Sequence, residues 1–182
     1  FTDVITVYRA TPAGIELGEI PVPSVALNCL YDTAVGDLNR DGLADVYLAM
    51  GCFHNEAYRQ TGHPDVVLMN RGDGRFEALE LEPDRSVLTT SVTLADVDGD
   101  GWLDVLESVD ASWISGHSRL LMNRTAPGDG DPRFEPSEHP WDLGTDGMGA
   151  ALGDLNADGH LDLINTSIGF DLLMMGDGEG RF

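Results

Sequence analysis

One nine-residue pattern occurs three times in this chain, and that repetition constrains the fold more than any other feature. Asp37-Leu38-Asn39-Arg40-Asp41-Gly42-Leu43-Ala44-Asp45 returns as Asp96-Val97-Asp98-Gly99-Asp100-Gly101-Trp102-Leu103-Asp104 and again as Asp154-Leu155-Asn156-Ala157-Asp158-Gly159-His160-Leu161-Asp162. The first aspartates stand 59 and 58 residues apart. A repeat of this length is one supersecondary unit that cannot bury its apolar face alone, so neighbouring copies must stack. A second marker follows each loop: Asn70-Arg71-Gly72-Asp73-Gly74-Arg75-Phe76, then Asn123 leading through an insert to Phe134, then Gly176 to Phe182, with Met175 read as standing in place of the third asparagine. The chain opens on a phenylalanine of the same kind, Phe1, which reads as a slice of a longer array.

Between these markers the residues predict short strands: Thr89 to Ala95 before a loop, Leu103 to Val109 after it, Arg119 to Asn123 third, and a fourth from Phe134. Each is apolar or alternating and ends at Gly, Asp or Pro, which is the pattern of a strand bounded by turns. The expected fold class is therefore all-β. It comprises β-propeller blades, three four-stranded repeats of about 58 residues, forming part of a larger propeller or array, since propeller rings close with about four to eight blades. The expected repeat units are 1–76, 77–134 and 135–182, with loops at 37–45, 96–104 and 154–162.

The loops have the composition of hard-cation sites. Ca²⁺ takes about six to eight oxygens, and a tight loop supplies carboxylates at alternate positions while glycine makes the sharp turn. The expected ligands are the side chains of Asp37, Asn39, Asp41 and Asp45 with the carbonyl of Leu43. In the second copy they are Asp96, Asp98, Asp100 and Asp104 with the carbonyl of Trp102. In the third they are Asp154, Asn156, Asp158 and Asp162 with the carbonyl of His160. The competing structural reading is a polar turn whose acids face water. Crowded carboxylates repel one another and raise their own pKa values without an ion, so three copies in register favour the metal. At ~1 mM calcium and a site constant of ~10 μM, each site would add roughly 2.7 kcal/mol to the folded state.

The charge balance agrees. The formal net charge is −22, and all ten basic residues are arginine. Such a surface repels phosphate backbones and anionic headgroups, so nucleic acid and membrane insertion are excluded as partners and cations are favoured. No apolar run reaches the ~18 residues of a membrane span.

These loops and markers resemble the FG-GAP or VCBS-type repeat of integrin α-subunit propellers, cartilage-acidic-protein-like proteins and bacterial secreted proteins. The resemblance covers nearly the whole chain, and the opening Phe1-Thr2-Asp3-Val4 is similar to the strand that begins blades in the cartilage-acidic-protein-like members. It implies a calcium-bound β-propeller located extracellularly, on the cell surface or in the periplasm. Calcium, about three ions per chain, would be structural there, and the module would serve adhesion, recognition or assembly. Its partner would be a protein, a glycan, or further copies or blades of the same protein.

Two other readings of the loops are weaker. Asp96 to Glu107 fits a twelve-residue EF-hand loop with a terminal glutamate, but the flanking residues read as strands rather than helices. Asp96-Val97-Asp98-Gly99 also fits a strand-end phosphatase motif, which needs a cation near the phosphoryl group, usually lysine, and the chain has no lysine. No nucleophile-and-base constellation is visible, so the chain is expected not to be an enzyme. The alternative from another class is an accessory or substrate-binding part of a secreted hydrolase.

If the first loop closes an antiparallel hairpin, Val35 pairs with Val46 and Cys29 with Cys52, which predicts a disulfide against the alternative of two buried thiols. The loops after the second strand carry His54, His63, Trp113 and His117, a candidate partner surface or simply solvated loop residues. Arg71-Gly72-Asp73 spells an adhesive tripeptide inside a turn marker, where a chance match is the simpler reading.

Overall fold

The computed structural model describes residues 2–23, 29–54, 59–61, 64–82, 87–110, 117–137, 147–169 and 171–182, with the backbone alone at 2, 3, 7, 9, 21–23, 52–54 and 59–61. All regular structure in these residues is β-strand. Three antiparallel sheets follow one another along the chain. The first is ordered β3 (Leu30–Gly36), β4 (Asp45–Met50), β7 (Val66–Asn70), β8 (Phe76–Glu80); the second β9 (Thr89–Ala95), β10 (Asp104–Val109), β11 (Arg119–Asn123), β12 (Phe134–Pro136). The third has β13 (Gly147–Gly153), β14 (Asp162–Ser167) and β15 (Leu172–Met174), three strands among the described residues. These are propeller-type blades, and among the described residues they do not close into a ring. Two hairpins add to them: β1 (Thr2–Thr11) with β2 (Gly14–Pro23), and β5 (Cys52–His54) with β6 (Arg59–Thr61). The second hairpin lies in the connection where the sequence placed a variable loop. The marker phenylalanines Phe76 and Phe134 open outer strands, so the first two sheets end a few residues after them.

The inner strands of successive sheets are neighbours, β3 beside β9 and β9 beside β13, so the sheets stack face to face. Leu38, Tyr47, Val67 and Met69 of the first sheet pack on Val92, Val105 and Leu121 of the second. Val97, Leu106, Leu120 and Met122 of the second pack on Leu163 of the third and its half-buried neighbours Ala150, Leu152 and Met174. Ile5 and Ile20 of the first hairpin cover Leu48, Val66 and Leu68. This stacking explains the apolar runs. Strand β10 is buried at every residue because both its faces are covered, whereas β14 alternates. Each fully buried leucine in such a contact contributes about 1.5–3 kcal/mol. Gly51 permits the closest approach, since a Cβ there would lie 1.9 Å from Leu88 Cδ1.

Within each sheet the first two strands pair with one extra residue in the first. Val35 faces Val46 as expected, but Tyr31 is bulged out between Leu30 and Asp32, and Thr90 and Met148 are bulged at the equivalent places. All three stand six residues before the first aspartate of their loops. A bulge shifts the register by one. The carbonyl of Cys29 consequently accepts the N–H of Gly51 at 2.6 Å, and Cys29 is not opposite Cys52 as the unbroken register predicted. Cys29 is buried and disulfide-bonded. The side chain of Cys52, the other cysteine of the chain, lies outside the described residues.

Candidate metal centres

Each Asp-rich loop joins the first strand of a sheet to the second. The backbone turns through left-handed conformations at two places, Arg40, Gly99 or Ala157 (φ 57°, 73° and 65°) and then Gly42, Gly101 or Gly159 (φ 88°, 89° and 91°). The second position is glycine in every copy, because a side chain at such φ is strained. With the chain folded this way, the carboxylates turn inward onto the loop's own N–H groups.

The last aspartate is a pin. Asp45, Asp104 and Asp162 are at most 1% exposed. One oxygen of each accepts the N–H of the loop's second residue: Leu38 at 3.0 Å, Val97 at 3.0 Å and Leu155 at 2.8 Å. The other accepts an N–H at the end of the third strand: Asn70 at 2.8 Å, Asn123 at 2.8 Å and Gly176 at 2.9 Å. Loop and marker are thus one unit. The structure places Gly176, not Met175, at the third marker asparagine's position. Asn70 and Asn123 strengthen the joint by donating their side-chain amides to the carbonyls of Ala44 and Leu103.

The other acids line the turn. The first aspartate accepts the glycine N–H, Asp37 from Gly42 at 2.9 Å, Asp96 from Gly101 at 2.8 Å and Asp154 from Gly159 at 2.9 Å. The fifth residue accepts the N–H of the seventh, Asp41 from Leu43, Asp100 from Trp102 and Asp158 from His160. Asn39, Asp98 and Asn156 each accept the N–H of that fifth residue. In the second loop, carboxylate oxygens of Asp96, Asp98 and Asp104 lie within 4.8 Å of one another, and Asp96 Oδ1 is buried with no hydrogen-bond partner. An orphaned carboxylate oxygen beside two others is costly unless a cation completes it, and the donor set is all oxygen, as calcium requires. These residues fit the ion.

Electrostatics point the same way. Burial pushes the Asp104 carboxyl up to about 6, with the negative charges of Asp98 and Asp100 adding to it and two backbone N–H groups opposing. Burial likewise raises Asp45. Asp158, exposed, is held low by the His160 N–H and the Asn156 amide. Neighbouring loops also touch: the Arg40 guanidinium lies 5.1 Å from the centroid of the Trp102 ring.

Other expected sites are less complete. His117 is exposed, whereas His63, Trp113 and the side chain of His54 lie outside the described residues. Arg71 is held by Glu77, by Asp131 and by the Gly130 carbonyl, with Gly72 and Asp73 in left-handed turn conformations. Glu107, which would close an EF-hand loop, instead lies on β10 at 0% exposure. It accepts the Tyr47 hydroxyl at 2.6 Å and Arg119 Nε at 2.7 Å, and it is hydrogen-bonded to Asp65. This buried network between the first two sheets was not foreseen. Its one sequence signal is an acid in the middle of an apolar strand.

The family model of the FG-GAP-like repeat matches residues 37–107. That stretch is similar to an FG-GAP-like repeat. It runs from the first aspartate of the first loop, through the interface of the first two sheets, to Glu107. An FG-GAP-like repeat is a β-propeller-type module, which accords with the stacked sheets. The third loop lies beyond the matched span and reproduces the same hydrogen bonds. No curated protein matches the chain.

Proposed function

We propose that this chain is a calcium-binding, extracellular β-propeller module for adhesion, recognition or assembly, in which calcium is structural and no catalysis occurs. The observation that carries the reading is the second loop, where Asp96 Oδ1 is buried without a partner beside Asp98 and Asp104. Asp96, Asp98, Asp100 and Asp104 would hold the ion there, and their counterparts would do so in the other loops. The ion would replace mutual repulsion with attraction and fasten the first two strands of a sheet to the third through the pinned aspartate. Disulfide-bonded Cys29 supports an oxidising compartment. No helix among the described residues is long and apolar enough to cross a membrane.

The face of the third sheet supports assembly with a further blade or copy. Leu38, Tyr47, Val67 and Met69, and their second-sheet counterparts Val97, Leu106, Leu120 and Met122, are 0–5% exposed. The third-sheet counterparts Leu155, Ile164, Leu173 and Met175 are 39–56% exposed. A contiguous apolar face of this kind marks an interaction surface.

Thermal unfolding in calcium, magnesium and chelator tests the reading. Three sites of ~10 μM at ~1 mM calcium would add roughly 8 kcal/mol, comparable to the net stability of a domain. A calcium-specific rise in melting temperature is expected, and identical melting in all three conditions would refute it.

A further inference from the structure

We propose that Arg124 is a tethered cation that competes with calcium for the second loop and lowers the affinity of that site. The proposal rests on the calcium reading above. In loops one and three the middle residue is asparagine, whose Nδ2 donates to the Oδ2 of the next acid, Asn39 to Asp41 at 3.0 Å and Asn156 to Asp158 at 2.8 Å. Loop two has Asp98 there and no amide to offer. Nη1 of Arg124 donates instead to Asp98 Oδ2 at 3.0 Å and to Asp100 Oδ2 at 3.2 Å. The second loop therefore carries one more carboxylate than either of the others and an arginine as counter-charge.

The backbone delivers this arginine to the loop. Arg124 follows Asn123, whose N–H binds Asp104, so the guanidinium rides on the segment that closes the site. Its equivalent in the first sheet, Arg71, is drawn away by Glu77, Asp131 and the Gly130 carbonyl. The third sheet has Asp177 at this place.

The competition is for the same carboxylates. Oδ1 of Asp98 and Oδ1 of Asp100 accept backbone N–H groups and Arg124 holds Oδ2 of both, so an ion that takes either Oδ2 must displace the guanidinium. The arginine side chain is 41% exposed, so it can swing into water when an ion enters. Filling the second site then releases a positive side chain beside the loops, an event that sites one and three do not produce.

Calorimetric titration of calcium into the intact chain tests this with wild type, R124Q and R124K, each first melted in chelator to establish folding. Removing two partly exposed ion pairs should tighten one site by at least about twofold and up to about 30-fold, leaving two sites unchanged. R124K, which keeps the charge, should stay close to wild type, and D98N should shrink the R124Q effect because it gives loop two the amide of the other loops. Three bound ions with less than about a twofold change in R124Q overturn the proposal alone. No calcium uptake by any variant overturns it together with the calcium reading, so the ion count separates the two failures.

Discussion

Asp41→Ala separates the work of the ion from the work of the loop. Asp41 is exposed, and its carboxylate accepts the Leu43 N–H at 2.8 Å and the Asn39 amide at 3.0 Å. Water can replace both bonds, so in chelator the variant should lose no more than about 1 kcal/mol. In ~1 mM calcium it should also lose the stabilisation of one site, roughly 2.7 kcal/mol for a ~10 μM constant. For a chain of this length 1 kcal/mol moves the melting temperature by about 2–4 °C, so the calcium-dependent part is about 5–11 °C. Differential scanning calorimetry of wild type and variant, in calcium and in chelator, gives the four temperatures needed. Tyr47→Phe is the control. It removes a hydrogen bond to buried Glu107 and touches no loop carboxylate, so its cost should be the same in both conditions. If Asp41→Ala lowers the melting temperature equally with and without calcium, the loop is a polar turn and the reasoning fails.

Three further outcomes follow from the buried groups. Burial, and then the charge of Glu107, raise Asp65 well above the ordinary carboxylate range. The folded state keeps a proton that the unfolded chain has lost. The stability this contributes is complete below the unfolded value, near 4, and is lost as pH rises through the folded value. In chelator, Asp65→Asn should therefore flatten the decline in melting temperature toward alkaline pH, and parallel curves for the two proteins would argue against it. Calcium needs Asp104 ionised, and with its carboxyl pushed up to about 6 the second site should weaken about tenfold per pH unit below that value; equal affinity at pH 5 and pH 7 would contradict this. Gly51→Ala would drive a Cβ to 1.9 Å from Leu88 Cδ1 and 3.3 Å from its Cα, so a loss of about 1–3 kcal/mol is expected in urea unfolding, and wild-type stability would contradict it.

Much of this architecture is legible in the residues. The loops were identified because aspartate and glycine at fixed offsets serve backbone geometry and oxygen chemistry together. The strands from Thr89 and from Arg119 were legible because glycine, aspartate and proline bound their apolar runs. What could not be read depends on more distant partners. The bulges at Tyr31, Thr90 and Met148 share no residue type, so nothing local announces the shift that moves Cys29 opposite Gly51. Glu107 is legible only as an anomaly, since its partners Tyr47 and Asp65 come from the preceding sheet. Arg71 and Arg124 occupy equivalent places and turn to different partners, because the insert carrying Gly130 and Asp131 reaches the first but not the second.

Counting the ions tests the central claim most directly. Native mass spectrometry of the chain dialysed against calcium, and then against calcium with excess chelator, should show three bound ions that chelation removes. A chain that remains at its metal-free mass in calcium would contradict the account.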